Sequence, residues 1–559
     1  MRAPLSLTLL PSRRIPPLAP AITTLLFGLL VLLPLAFVAG TAIQGNAWAE
    51  LASAHSALAM LNTVRIGLSV AVLSVAGAML LAWLVTRTDL PARRAVAALI
   101  PLPLLVSPLF TGMAWILLAG PRAGWLNAAF HQLTGLNQPL FDVFSLSGIV
   151  LVLTLHYVPY GYLLIVGALQ GVDPGLENAS RVSGAGMLLT LRRVVFPVVT
   201  PAILSALLLI FTLACEHFPV VTLLGVTGKI PTIQYDIYSA MVEFPNRPSY
   251  AAAASLVLLA IALLALGLYN HFTRRQQRFV TVTGKPTAPR LTKLGRWRTP
   301  ALALCALYFA LAVVVPLLAL TLGSLLRFIT PNLTPALFTL ENYQLMTQRP
   351  EAPTAFRNTI VYGLVAATAV VLLAAYVSHI VVRRRSRLAP VLGVLAMLPA
   401  SLPSLTLGLG VLWAYVRLAP AIYGTVWILL LAYLTRLTPY GVRVLSGSMI
   451  QIDADLEHAA RLSGSSPRET LRRIVLPLVW PALIAAWTLV FTQVILEVSM
   501  TVLLYTAPTT TVAINIWFYN FGGSTVLACS LSVVLAAAGL VMLLLSNRLR
   551  FENIRALAA

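Results

Sequence analysis

Thirty residues of this chain are written twice. Residues 173–202, DPGLENASRVSGAGMLLTLRRVVFPVVTPA, return at 453–482 as DADLEHAARLSGSSPRETLRRIVLPLVWPA, at a constant offset of 280 and without a gap. Asp173/Asp453, Glu177/Glu457, Arg181/Arg461, Gly184/Gly464, Arg192-Arg193/Arg472-Arg473, Pro197/Pro477 and Pro201/Pro481 all coincide. The Pro159-Tyr160-Gly161 triplet recurs as Pro439-Tyr440-Gly441 at the same offset, and Pro34 and Asn62-Thr63 find counterparts in Pro316 and Asn358-Thr359. Such agreement marks an internal duplication, so the 559 residues must fold as two related halves.

Both copies are polar interludes in an apolar chain. The sequence is 59% hydrophobic and 10% charged, with mean hydropathy +0.90, too little polar surface to cover a soluble protein of this size. Apolar runs near 21–43, 66–85, 96–119, 148–169, 201–215 and 251–269 are answered by runs near 301–322, 359–381, 390–415, 423–445, 481–496 and 525–545. Most match the hydrocarbon thickness of a bilayer. The expectation is an all-α integral membrane protein of about twelve transmembrane helices in two parallel six-helix repeats. Segment 1–20 precedes the first repeat, 21–270; a basic linker, 271–299, joins it to the second, 300–546; and 547–559 forms a tail. The first apolar run is too long for a signal-peptide core, so it reads as an uncleaved span.

The net charge of +22 follows this topology rather than a nucleic-acid surface. Of 38 Lys and Arg, 28 fall on the side of the interludes, 8 on the other, and Arg436 and Arg443 lie within a span. The positive-inside rule makes the richer side cytoplasmic, with both termini. Residues 271–298 hold eight Lys/Arg and no acid, which suits either a partner or anionic lipid headgroups. The long external loop 325–357, with Phe338-Thr339-Leu340-Glu341-Asn342-Tyr343, reads as a partner contact or as a structural cap. Cys215, Cys305 and Cys529 have neither zinc spacing nor a disulfide framework.

The second interlude reads as two short helices about a glycine turn. Asp453, Asp455 and Glu457 suit a helix's first turn. Ala459-Ala460 keep its surface slim, and Gly464 is placed to end it in a left-handed conformation. Ser466-Pro467-Arg468-Glu469 predicts a capping box, with Pro477 stopping the second helix before the next span. The first copy lacks that box, so a looser turn is expected around Gly184-Ala185-Gly186. An amphipathic loop lying on lipid competes with a helix presented to a protein groove; the duplication and the small residues favour the groove.

Glu457-His458-Ala459-Ala460-Arg461, with Gly464 following and Pro477 beyond, resembles the EAA motif of binding-protein-dependent ABC importer permeases. Glu177-Asn178-Ala179-Ser180-Arg181, with Gly184 and Pro197, is a weaker copy. Two such loops in one chain resemble the fused permeases of the ferric iron type. The resemblance implies a type I importer fold in a bacterial inner membrane, and coupling loops seated in two copies of a cytoplasmic ATPase. It also implies a periplasmic or lipoprotein substrate-binding protein outside. ATP-Mg would bind that ATPase, and no cofactor is expected on this chain.

Gly225-Val226-Thr227-Gly228-Lys229 has the wrong spacing for a phosphate loop, and no nucleophile–base set is visible, so the chain is not expected to be an enzyme. A secondary transporter would need intramembrane acids or bases. Glu216, His217 and Glu497 are the candidates, His217 and Glu497 being equivalent by offset. They are expected at the solvated interface; facing inward, they would line the path or its gate. A passive channel has no filter-like segment to support it. Residues 496–505 resemble the corresponding stretch of ferric permeases, while thiamine, phosphonate, polyamine and sugar-phosphate permeases share the architecture. No His, Cys and Asp spacing forms a metal cage.

Overall fold

The computed structural model describes residues 18–136, 138–274, 291–383 and 387–558. Segment 1–17, most of the basic linker (275–290) and Arg384-Arg385 lie outside the described residues. Among the described residues, ten helices are long and apolar enough to cross a bilayer. In the first half they are α1 (Leu18–Ala42), α2 (Ala54–Arg87), α4 (Leu146–Gln170), α5 (Arg192–Glu216) and α6 (Pro248–Arg274). The second half supplies α7 (Gly295–Ser324), α8 (Glu351–Arg383), α10 (Val426–Gln451), α11 (Leu471–Ile495) and α12 (Thr525–Ala558).

The third and ninth expected spans are not straight helices. α3 runs Arg93–Leu105 and bends by 94° into Pro108–Ala119; α9 runs Ala389–Ser401 and bends by 110° into Ser404–Leu418. Proline sets both breaks. Ser107 before Pro108 is extended, as is Leu402 before Pro403, because the pyrrolidine ring disfavours helical geometry in the preceding residue. Each bent pair nevertheless crosses. Ser74 Oγ donates to Thr154 O at 3.4 Å and Arg87 Nη2 to Leu169 O at 2.7 Å, so α2 and α4 advance together and the chain between them must return. The bonds from Ser378 to Val442 O (3.3 Å) and from Arg383 to Ile452 O (2.6 Å) make the same case for α8 and α10. With each bent pair taken as one span, the described residues make twelve crossings in two parallel sets of six.

Small residues let the helices close. A Cβ at Gly161 would stand 2.9 Å from Ala78 Cβ, and one at Gly441 would stand 2.7 Å from Ala374 Cβ. The repeated Pro-Tyr-Gly triplet is therefore a helix-packing device, as expected where lipid supplies no hydrophobic drive between helices. The halves also exchange their first helices: α1 packs on α9, and α7 packs on α3 and α12. At the first contact, a Cβ on Gly410 would lie 2.6 Å from the Pro34 carbonyl oxygen.

The recurring Asn-Thr pair has an equally local cause. Asn62 Nδ2 donates to Pro231 O at 3.0 Å while Thr63 Oγ1 accepts from Ile233 N at 3.1 Å. Asn358 donates to Pro508 O and Thr510 O, both at 2.9 Å, while Thr359 Oγ1 accepts from Val512 N at 2.9 Å. Each pair holds the start of a short helix, Ile233–Val242 or Val512–Phe521, that follows the fifth span of its half. Between them Phe218, Tyr238 and Trp517 pack with ring centroids 5.0–6.2 Å apart, closing the centre.

The long loop after α7 is an ordered cap. Asn342 donates to Ser324 O and Leu326 O at 2.9 and 2.6 Å, and Trp125 of the first half donates to Thr330 O at 3.0 Å. The described end of the linker docks as well. Thr292 N donates to Arg87 O at 2.8 Å, and Arg298 pairs with Asp89. The Arg298 guanidinium and the Leu294 N–H hold the Asp89 carboxyl below its ordinary range.

Gly410→Val should disrupt the contact between α1 and α9, costing about 1–3 kcal/mol by overpacking. A lowered thermal midpoint of the purified protein is the expected result. Gly447→Ala, inside α10 where a Cβ meets nothing within 4 Å, should not lower that midpoint.

Candidate functional site: two matched interludes and a charged centre

Each interlude folds as expected in outline and more symmetrically than expected in detail. Helix Pro174–Val182 is followed by Met187–Thr190, and Ala454–Leu462 by Pro467–Thr470. Asp173 Oδ1 accepts from Gly175 N at 2.8 Å and Asp453 Oδ1 from Asp455 N at 3.0 Å, capping the first helix of each copy. Gly184 and Gly464 take φ of +82° and +85°. Beyond them Ala185 N donates to Ser180 O at 3.1 Å and Ser465 N to Ala460 O at 3.0 Å, the same closing bond in both. The first turn is thus no looser than the second; the left-handed glycine sets the geometry, and the capping residues do not. The expected capping box is half made. Glu469 N donates to Ser466 Oγ at 3.2 Å, but the Glu469 carboxylate pairs with Arg473 at 3.0 Å.

The expectation that Pro477 stops the second helix is overturned, and Pro197 behaves alike. A π-helical turn, Leu191–Val195 or Leu471–Val475, carries the chain without a break into the span. The proline then sits in the first α-helical turn after the π turn, and the widened geometry accommodates the residue that lacks an N–H. The fifth and eleventh spans accordingly begin at Arg192 and Leu471 rather than at Pro201 and Pro481.

Ala179 and Ala459 face outward and Ala460 is buried. Leu176, Val182, Leu456 and Leu462 are exposed apolar side chains on otherwise polar segments. In the first copy Leu176, Ala179, Ser183, Gly184 and Leu189 line an open groove. Glu177, Arg181 and Arg461 lie on these helices, but their side chains fall outside the described ones. Glu457 turns back to the protein. Its carboxylate, 12% exposed, pairs at 3.1 Å with Arg383 at the end of α8, which also holds Ile452 O. Sequence reasoning counts Arg383 only as part of the basic cluster Arg383-Arg384-Arg385-Arg387 that marks topology, and so misses its contact with Glu457.

The second locus lies between the halves. Arg436 Nη2 pairs with Glu216 Oε1 at 3.1 Å, and the two side chains are 8% and 10% exposed. Nη1 of the same guanidinium donates to Pro399 O and Leu402 O, both at 2.8 Å, at the break in α9. Glu216, His217 and Glu497 are therefore not solvated at the membrane surface, as expected from span ends alone. Because α5 starts early, its last residue reaches only as far as Arg436, ten residues and about 15 Å into α10. His217 is buried beside Tyr157, ring centroids 6.0 Å apart. Glu497 Oε1 accepts from Met500 N at 2.9 Å, and its charge lies within electrostatic reach of Arg436, as do the phenols of Tyr160 and Tyr440. Arg436 is the residue that binds this group together, and its only sequence signal is a full charge inside an apolar run.

Two interlocked six-helix halves, a polar centre between them and a matched helical interlude on each define a membrane permease. The chain belongs to the family of inner membrane components of binding-protein-dependent transport systems, which matches it twice, over residues 74–278 and 367–551. It is 26% identical over 441 residues to a putative ferric transport system permease protein of Haemophilus influenzae, covering 77% of this chain and 67% of that one. A ferric transport system permease protein of Actinobacillus pleuropneumoniae is 26% identical over 424 residues, covering 73% and 59%. This chain thus spans about three fifths to two thirds of the length of these relatives. A putative 2-aminoethylphosphonate transport system permease of Salmonella paratyphi A is 30% identical over 152 residues, covering 27% of this chain and 57% of that one.

The Arg383–Glu457 contact should show as coupling in a double-mutant cycle. Arg383→Glu and Glu457→Arg should each lower thermal stability, and the double swap should recover between about 0.5 and 3 kcal/mol of the summed loss.

Proposed function

We propose that this chain forms the translocation path of an ATP-driven importer and takes up ferric iron handed over by an external binding protein. On this reading two copies of a separate cytoplasmic ATPase, each carrying ATP-Mg, seat on the interludes around Glu177–Arg181 and Glu457–Arg461. The observation that carries it is continuity. Each interlude runs through a π turn into a single helix, and the first of these helices ends at Glu216 in the charged centre. ATP-driven closure of the two ATPases moves the interludes, and the fifth and eleventh spans transmit that motion to the centre between the halves. Exposed leucines beside small residues suit a groove in a partner protein, and the excess of Lys and Arg on the side of the interludes supports a cytoplasmic position for them and for both termini.

Iron(III) as cargo rests on the two ferric relatives, whose similarity covers about three quarters of this chain, and on residues 496–505. A phosphonate is the second reading, supported by a similarity confined to about a quarter of the chain.

Proteoliposomes holding this chain, its ATPase and its binding protein should accumulate radiolabelled ferric iron only when ATP is supplied. Accumulation driven by a proton or sodium gradient without ATP would sink the proposal. Gly464→Val, which puts a β-branched residue at a φ of +85°, should insert normally yet hydrolyse ATP without matching uptake. Wild-type uptake by that variant would remove the interlude from the mechanism.

A further inference from the structure

Three oxygens converge on one positive charge at the centre of this protein. Glu216 Oε1 lies 3.1 Å from Arg436 Nη2, and the carbonyl oxygens of Pro399 and Leu402 each lie 2.8 Å from Nη1. The carbonyls can take the guanidinium because α9 is broken there: Leu402 is extended, Pro403 has no N–H to offer, and Pro399 O, which also accepts from Leu402 N at 3.3 Å, keeps a lone pair for it. One carboxylate with carbonyls from an interrupted helix is a donor set that hard cations take, both in oxygen-ligand sites and in the broken helices of transporters. Among the described residues no three His, Cys, Asp or Glu side chains gather into a metal site. Two of the three donors here are backbone atoms, which a side-chain pattern cannot disclose.

We propose that this oxygen cage is the mid-membrane station of the cationic cargo and that Arg436 is a tethered counter-ion which the cargo displaces. The inference rests on the reading of this chain as an importer of ferric iron. In the closed state the guanidinium fills the cage, and because it keeps its charge at any accessible pH it neutralises Glu216 throughout. When the halves part, a hard cation takes the carboxylate and the two carbonyls. The displaced guanidinium moves to Glu497, the second carboxylate within range of its charge. The exchange leaves each of the two carboxylates facing a positive charge, in a region where an isolated charge is costly. Duplication does not repeat the cage, because the residues 280 positions from Arg436 and Glu216 are His156 and Leu496.

The test uses the full chain in nanodiscs and terbium(III), a hard trivalent cation whose emission is sensitised by nearby tyrosine. Arg436→Gln empties the cage and should bind terbium(III) at least about tenfold more tightly than the wild type, the scale set by freeing a buried carboxylate from its partner. Adding Glu216→Gln to that variant should abolish the gain. Equal affinity in Arg436→Gln and wild type, or a gain that survives the second substitution, overturns the proposal. Glu216→Gln alone leaves Arg436 its two carbonyl bonds, and its thermal midpoint, measured beside the wild type, reports whether the fold is kept. Ferric uptake by the folded variant in the reconstituted complex should fall at least about tenfold, and undiminished uptake overturns the cage. The two readings fail separately. If wild type takes up no ferric iron while Arg436→Gln gains terbium(III), the cargo is wrong and the cage stands; ferric uptake without any terbium(III) gain leaves the cargo and removes the cage.

Discussion

A guanidinium buried between two membrane halves constrains everything around it. Placing an arginine at the middle of a bilayer helix costs about 2.5–3.5 kcal/mol on insertion scales. Arg436 offsets that cost with a carboxylate from the other half and with two carbonyls that the bend in α9 releases. Each feature needs the others. Without the break at Leu402-Pro403 these carbonyls would not be turned toward the guanidinium, and without Arg436 the buried Glu216 carboxylate would lose its cationic partner. Removing one member of such a buried pair costs about 3–5 kcal/mol, because the other charge remains. The pair also joins residues 220 positions apart, so it forms only when both halves are folded and docked.

Duplication explains the scaffold and fails at the centre. The Asn-Thr pairs grip the same kind of short helix in each half, the triplet glycines pack on equivalent alanines, and the two interludes close with the same bond. These devices serve backbone geometry, which both copies share. At the axis, however, Arg436 answers to His156 and Glu216 to Leu496. One half supplies the carboxylate and the other supplies the cation with its carbonyls. A symmetric version would place like charges face to face, so complementarity across the interface requires the copies to differ.

The same distinction decides what can be read from the amino-acid order. Crossing number, parallel halves and the left-handed glycines are readable because each depends on local periodicity or on one residue's backbone freedom. The course of the third and ninth spans is not, since Pro103, Pro108, Pro399 and Pro403 look tolerable inside an apolar run until the break is seen. The depth of Glu216 is hidden for a related reason. Hydropathy starts the fifth span at Pro201, whereas the π turn lets the helix begin at Arg192, and its far end shifts accordingly. Arg436 is visible as a charge in a span, but its partners lie 34, 37 and 220 residues away, and two of them are backbone atoms.

The early start of α5 also bears on how force would travel. Arg192–Glu216 is one helix of 25 residues, about 37 Å long, with an interlude at one end and a member of the charge pair at the other. A stop at Pro197 would have made the interlude a separate body whose movement dissipates in a hinge. Continuity through the π turn makes it the end of a lever instead. On the proposed coupling role, a displacement of helix Met187–Thr190, on the far side of the Gly184 turn from Pro174–Val182, reaches Glu216 along one unbroken helix. The helix break that frees the carbonyls belongs to the opposite half, so the same displacement separates the carboxylate from the two carbonyls it shares with Arg436. On that same proposed role, the pair sits where relative motion of the halves would be converted into loss of a specific contact, which a latch at the start of α5 could not do.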